Sequence, residues 1–284
     1  GYGRRGCRSS VPVGKCNPVI FMPRRDLGGG LPLCRSTAQS IRSDFREKVS
    51  MKFTLMSYHY LRYPIRKYLD KMERVGLDGI DIYCTGPQLN PFDYSLGALI
   101  QLNRDIRDRH LTPYVLTAEN CVYPVNLATS DLLTWESTQR YYQRLIDTAQ
   151  FLECPHIQIC PGTGYYDADK DEAWKRQVEA VQLLAEYAKK KGVTIFMETC
   201  KITTTNLVVT SKELKQFIDD VGADNLLGLS DTDQMSQAGE HINDYFDNLG
   251  DKYGFVHFSD LRHEARYWGG AHSTLPWLCD SGSY

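Results

Sequence analysis

"VTIFMETCKITTTNLVVTSKELKQFIDDVGADNLLGLSD", residues 193–231, reads as two strands and the helix that joins them. Residues 193–198 are apolar or β-branched up to Glu198, and residues 225–231 have the same form up to Asp231. Neither run alternates polar with apolar, as a strand with one wet face would. Both read as strands buried on two faces, the pattern of a parallel sheet covered by helices. Between them, residues 212–221 carry apolar side chains at helical spacing.

The same unit recurs outward in both directions. Further strand-like runs occupy residues 52–58, 79–83, 112–117, 155–160 and 254–259, and helical patterns occupy 65–75, 96–109, 137–151, 171–191 and 240–249. A doubly wound nucleotide-binding sheet and a (β/α)8 TIM barrel both satisfy this alternation. No G-x-G-x-x-G or G-x-x-x-x-G-K-[ST] loop follows any run, and Gly162-Thr163-Gly164 lacks the rest of either fingerprint. The expected fold is therefore a TIM barrel over residues 51–260, incomplete, with about seven strands and the eighth missing. Its site belongs at the C-terminal strand ends.

The two ends of the chain read differently. Residues 1–50 hold 10 Lys and Arg against 3 Asp and Glu, show no apolar periodicity and are expected to contribute no element. They read as a disordered or non-native extension, with Met51 as the expected start. Residues 261–284 have neither helical nor strand periodicity and read as an aberrant or truncated tail.

Without the basic head, the remaining residues carry 23 Lys and Arg against 32 Asp and Glu. That balance disfavours a nucleic-acid groove, which needs clustered cations. No apolar run approaches the roughly 18–20 residues of a membrane span. Nine cysteines include no C-x-x-C pair, and Cys84, Cys160 and Cys200 lie in or beside apolar runs, as buried thiols do. A cytoplasmic protein with a small-molecule substrate, acting alone or as a homo-oligomer, is expected.

The polar residues at or just past the strand ends are His59, Glu119, Glu198, Asp231 and His257. Histidine with carboxylates is the donor mix for a divalent ion such as Mn2+, Co2+ or Mg2+ with positions open to substrate oxygens. Each residue has a plainer reading. Glu198 could form a structural ion pair, Asp231 could cap the turn at Thr232 and Asp233, and His257 could be a satisfied core histidine. His59 and Glu119 could stitch a loop or line a substrate pocket, with Tyr58, Tyr60, Tyr123, Tyr165 and Tyr166 as its walls.

"MSYHYLRYPI", "GLDGIDIY", "TAENCVYPVN", "METCKITTTNLVV" and "NLGDKYGFVHFSD" together resemble the xylose isomerase-like sugar phosphate isomerase/epimerase barrels, and within them the fructoselysine 3-epimerase branch related to ketose 3-epimerases. The resemblance implies one divalent ion held by two glutamates, an aspartate and a histidine. It assigns Glu198, Asp231 and His257 as metal ligands and Glu198 also as a catalytic acid/base; the strand-end reading adds His59, Glu119 and Tyr123 as expected substrate contacts, and Gln234 stands at a contact position of the family. It further implies proton exchange at C3 of a ketose or ketosamine, such as fructoselysine, through an enediolate.

Two departures accompany it. Gln234 stands where many relatives carry a histidine, and the second glutamate would come from the missing eighth strand, which puts the activity of the chain as written in question. A non-catalytic degenerate barrel is the alternative, followed by an endonuclease IV-like phosphodiesterase, which would need more strand-end histidines.

Overall fold

The computed structural model of this chain describes residues 18–21, 51–86, 88–120 and 125–259. The strands are β1 (Pro18–Phe21), β2 (Lys52–Met56), β3 (Gly79–Cys84), β4 (Pro113–Ala118), β5 (His156–Ile159), β6 (Thr194–Glu198), β7 (Leu226–Asp231) and β8 (Tyr253–His257). The helices are α1 (Ile65–Val75), α2 (Leu96–Arg107), α3 (Leu132–Phe151), α4 (Lys170–Lys190), α5 (Ser211–Val221), α6 (Thr232–Gln237) and α7 (Ile242–Leu249). From β2 to β8 each strand pairs in parallel with the next. These are the seven parallel strands of an incomplete (β/α)8 barrel.

An arc of seven strands has two unpaired edges, here β2 and β8, whose backbone groups need partners. The structure supplies them from the head. β1 lies between those edges and pairs antiparallel with both, Val19 opposite Thr54 on one side and His257 on the other. This corrects the expectation that residues 1–50 contribute no element. "PVIF" is four residues long, too short for periodicity to reveal, and the two waiting edges select it. Tyr123 and the tail after Ser259 lie outside the described residues.

Inward and outward positions alternate along the strands. The outward residues Ile80, Ile82, Leu116, Ile157, Ile159, Ile195 and Val256 join the helices in the main core, whereas Val115, Phe196, Leu227, Leu229 and Phe255 fill the barrel interior. Phe196 and Phe255 stack at 5.2 Å with an 8° interplanar angle. This apolar layer forms a floor, and the next inward residues toward the C-terminal ends are polar.

Candidate active site

Two residues further along β6 from Phe196, the same inward parity brings Glu198 into the barrel mouth. β7 delivers Asp231 two residues past Leu229, and Asp231 pairs with His257 across the β7–β8 ladder. His257 reaches that face through an irregularity in β8. Gly228 pairs with Tyr253 but Leu229 pairs with Phe255, so Gly254 is an inserted residue. Tyr253 therefore faces outward, against Tyr245 and Phe246 of α7, while Phe255 and His257 both face inward. Position 254 requires glycine, since a Cβ there would lie 2.6 Å from Phe196 Cε1.

Glu198, Asp231 and His257 are 7%, 6% and 5% exposed, and one ligand atom from each lies within 4.8 Å of the others. His257 Nδ1 is 3.0 Å from Glu198 Oε1. Gln158 Nε2 donates to Glu198 Oε2 at 2.5 Å, and Ser259 Oγ donates to Asp231 Oδ1 at 2.5 Å. The same Asp231 oxygen accepts the Asp233 backbone N–H at 2.8 Å and so caps α6. The capping and site readings of Asp231 coexist, because a carboxylate has lone pairs for both.

Beneath them lies a group the sequence reading missed. Asp81, from the middle of β3, is fully buried; its Oδ1 accepts from Thr117 Oγ1 at 2.7 Å. Its Oδ2 is 3.8 Å from His257 Nε2, and among the described residues neither of these buried atoms has a hydrogen-bond partner. Burial alone would lower the His257 pKa, but the charge of Glu198, with the facing Asp81 carboxylate, outweighs it and holds the imidazole well above its usual range. Gln158 and Cys160 were missed as well.

The cluster opens into a cavity of about 370 Å3. His59, Glu119 and Gln234 line it, as do Tyr58, Tyr83, Lys201 and Thr204. Glu119 Oε2 accepts from Tyr83 Oη at 2.6 Å, and Gln234 Oε1 accepts the Lys201 backbone N–H at 2.7 Å. Of the remaining tyrosines named as walls, Tyr60 packs on Tyr63 and Tyr68, while Tyr165 and Tyr166 are exposed.

The donor set fits a divalent ion. Two carboxylates and one imidazole converge, and their burial would be costly without a compensating charge. A second triplet, Cys160, Glu198 and Cys200, also brings its ligand atoms within 4.8 Å of one another. No helix among the described residues is long and apolar enough to cross a membrane.

Comparison with known proteins gives a consistent picture. The family model described as Xylose isomerase-like TIM barrel matches residues 69–276. Fructoselysine 3-epimerase of Shigella flexneri is 23% identical over 210 residues, which cover 74% of this chain and 76% of that one. D-psicose 3-epimerase of Enterocloster bolteae is 24% identical over 76% of this chain and 73% of its own. Among solved structures, D-psicose 3-epimerase with D-tagatose from Clostridium cellulolyticum H10 superposes with a TM-score of 0.61 at 21% identity, covering 70% of each chain. A D-tagatose 3-epimerase-like protein gives 0.64 at 19% identity, over 75% of this chain and 77% of that one.

Proposed function

Because the chain belongs to the xylose isomerase-like TIM barrel family, we propose that it is a divalent-metal-dependent sugar epimerase, acting at C3 of a ketose or a ketosamine such as fructoselysine. The observation that carries this reading is the convergence of Glu198, Asp231 and His257 from three adjacent strands on one cavity. Mn2+, Co2+ or Mg2+ would be held by those three residues and would supply Lewis-acid stabilisation of negative charge on substrate oxygens. The sugar-named relatives support the substrate class.

The chain's own residues perform the rest. Glu198 takes and returns the C3 proton, and Gln158 fixes its carboxylate plane through Oε2. Asp231, held by Ser259 and the Asp233 amide, keeps its orientation without a rotamer search. Glu119, His59 and Gln234 bind sugar hydroxyls along the wall. The acidic and aromatic lining suits a polyol with apolar ring faces.

Full inversion requires a second acid/base on the other face of the sugar, whereas proton abstraction requires Glu198 alone. The discriminating measurement is therefore exchange of the C3 hydrogen in D2O alongside epimerisation, with Mn2+ and with D-fructose, D-psicose and fructoselysine in turn. Wild-type chain should exchange C3–H, and Glu198→Gln should lose about 10²- to 10⁴-fold of that rate with its fold intact by circular dichroism. Undiminished exchange in Glu198→Gln would sink the assignment. The absence of an eighth parallel strand among the described residues favours a second reading, a barrel that binds sugar without turnover; binding of the same sugars with no exchange would establish it.

A further inference from the structure

Glu198 faces two different sets of donors with its two oxygens. Oε1 is turned to His257, whereas Oε2 is turned to Cys160, whose Sγ lies 3.6 Å away. Cys200 completes the second side: Cys160 Sγ, Cys200 Sγ and a Glu198 oxygen all lie within 4.8 Å of one another. Both cysteines are buried, neither is in a disulfide, and both line the cavity. Cys84 and Cys154 differ. They are sealed in the core, where burial raises their thiol pKa values, and they do not line this cavity.

Two sulfurs and one oxygen form a soft donor set beside the hard one of Glu198, Asp231 and His257. Thiolates favour Zn2+ and Cd2+, and affinity for such sites runs well ahead of that for Mn2+. Tetrahedral Zn2+ with sulfur bonds of about 2.3 Å places its ligand atoms about 3.8 Å apart, so side-chain rotations moving these atoms by no more than about 1 Å suffice. Three protein ligands with a fourth position open is the usual arrangement of a zinc site exposed to small molecules. Gln158 Nε2, which contacts both Cys160 Sγ at 3.2 Å and Glu198 Oε2 at 2.5 Å, ties two of the ligands together.

We propose that Cys160, Cys200 and the Oε2 side of Glu198 form a second cation site, selective for thiophilic ions of the Zn2+ class, that shares Glu198 with the Glu198–Asp231–His257 cluster. Binding displaces one proton from each thiol to solvent, and no electron is transferred. Occupation engages the carboxylate that the first cluster also uses, so a thiophilic ion withdraws Glu198 from proton transfer.

The test is titration of the full reduced chain with Cd2+ under anaerobic conditions, read by the ultraviolet thiolate-to-metal charge-transfer band and by proton release. One equivalent should produce the band. Cys160→Ser and Cys200→Ser should each weaken it by about 100-fold in affinity, the upper end of what even outer-shell metal partners cost, while His257→Ala, which damages only the hard set, should retain it. The serine variants remove one atom's character and little volume; unchanged circular dichroism confirms their fold. A band that survives in the double serine variant, or that disappears in His257→Ala, overturns the proposal. Because the readout needs no sugar, it is independent of the epimerase assignment.

Discussion

Asp81 occupies a fully buried position between Ile80 and Ile82, where a carboxylate is expensive unless it serves another group. Thr117 satisfies Oδ1, and Oδ2 points to the Nε2 side of His257. Closing that 3.8 Å gap to a hydrogen bond would fix the proton on Nε2 and leave Nδ1 to face Glu198 and the proposed ion. Asp81→Asn should therefore weaken Mn2+ binding by about 10- to 100-fold in calorimetric titration while the melting temperature changes little; unaltered affinity would remove Asp81 from this role. His156 presents a different case. Its Nδ1 donates to the Tyr114 carbonyl at 2.8 Å, its ring stacks on Phe196, and burial pushes its pKa down to about 4. An unfolded histidine takes up its proton near pH 6.5, so this stability is complete above that pH and is lost as pH falls toward 4. The residue is mostly buried with partial exposure, and screening by the solvent that reaches it leaves a loss of about 1–2 kcal/mol. Urea denaturation of His156→Gln at pH 7 and pH 5 should show a smaller acid loss than wild type, and equal losses would refute the attribution.

The elements differ in how openly their chemistry is written in the chain. α5 begins with a capping box in which Thr210 Oγ1 accepts the Glu213 N–H and Glu213 Oε2 accepts the Thr210 N–H, and it ends at Gly222 in the left-handed region with φ 69°. Those signals place it within a residue of the sequence reading, and Thr210→Ala should cost about 1 kcal/mol in chemical denaturation. α3 begins at Leu132, five residues before the expected 137, because Asp131 caps it through the Thr134 N–H while Leu132 and Leu133 stay exposed and add no periodic face. α6 was expected only as a turn at Thr232 and Asp233 capped by Asp231; the structure continues that turn into a six-residue helix on the same cap. That Glu198, Asp231 and His257 come together was legible because each ends a strand. Asp81 and Gln158 were not, since the reading looked at strand ends and they lie inside strands, although a carboxylate between two isoleucines is itself a signal. The β8 insertion at Gly254 was likewise hidden, because pairing and not sequence defines it. Gly254→Ala should destabilise the barrel by about 1–3 kcal/mol through overpacking on Phe196, and a variant as stable as wild type would argue against the close contact.

For the whole molecule, closure depends on a segment that composition alone assigns to nothing. β1 satisfies backbone groups of both β2 and β8, and its residue Val19 pairs with His257 itself. A chain starting at Met51 should therefore expose two strand edges, melt at least about 3 °C lower and associate with rising concentration in light scattering. An equally stable, monodisperse product would show that β1 contributes nothing. The Phe196–Phe255 stack has a further consequence. It stoppers the barrel from below, so among the described residues the chamber above it is a vessel that opens toward the C-terminal strand ends. Under the proposed function, sugar, water and any hydrogen removed from the sugar would pass the mouth lined by His59 and Lys201. Isotope washout and substrate exchange would then share that mouth, and a bulky adduct there would slow sugar entry more than it slows the smaller water.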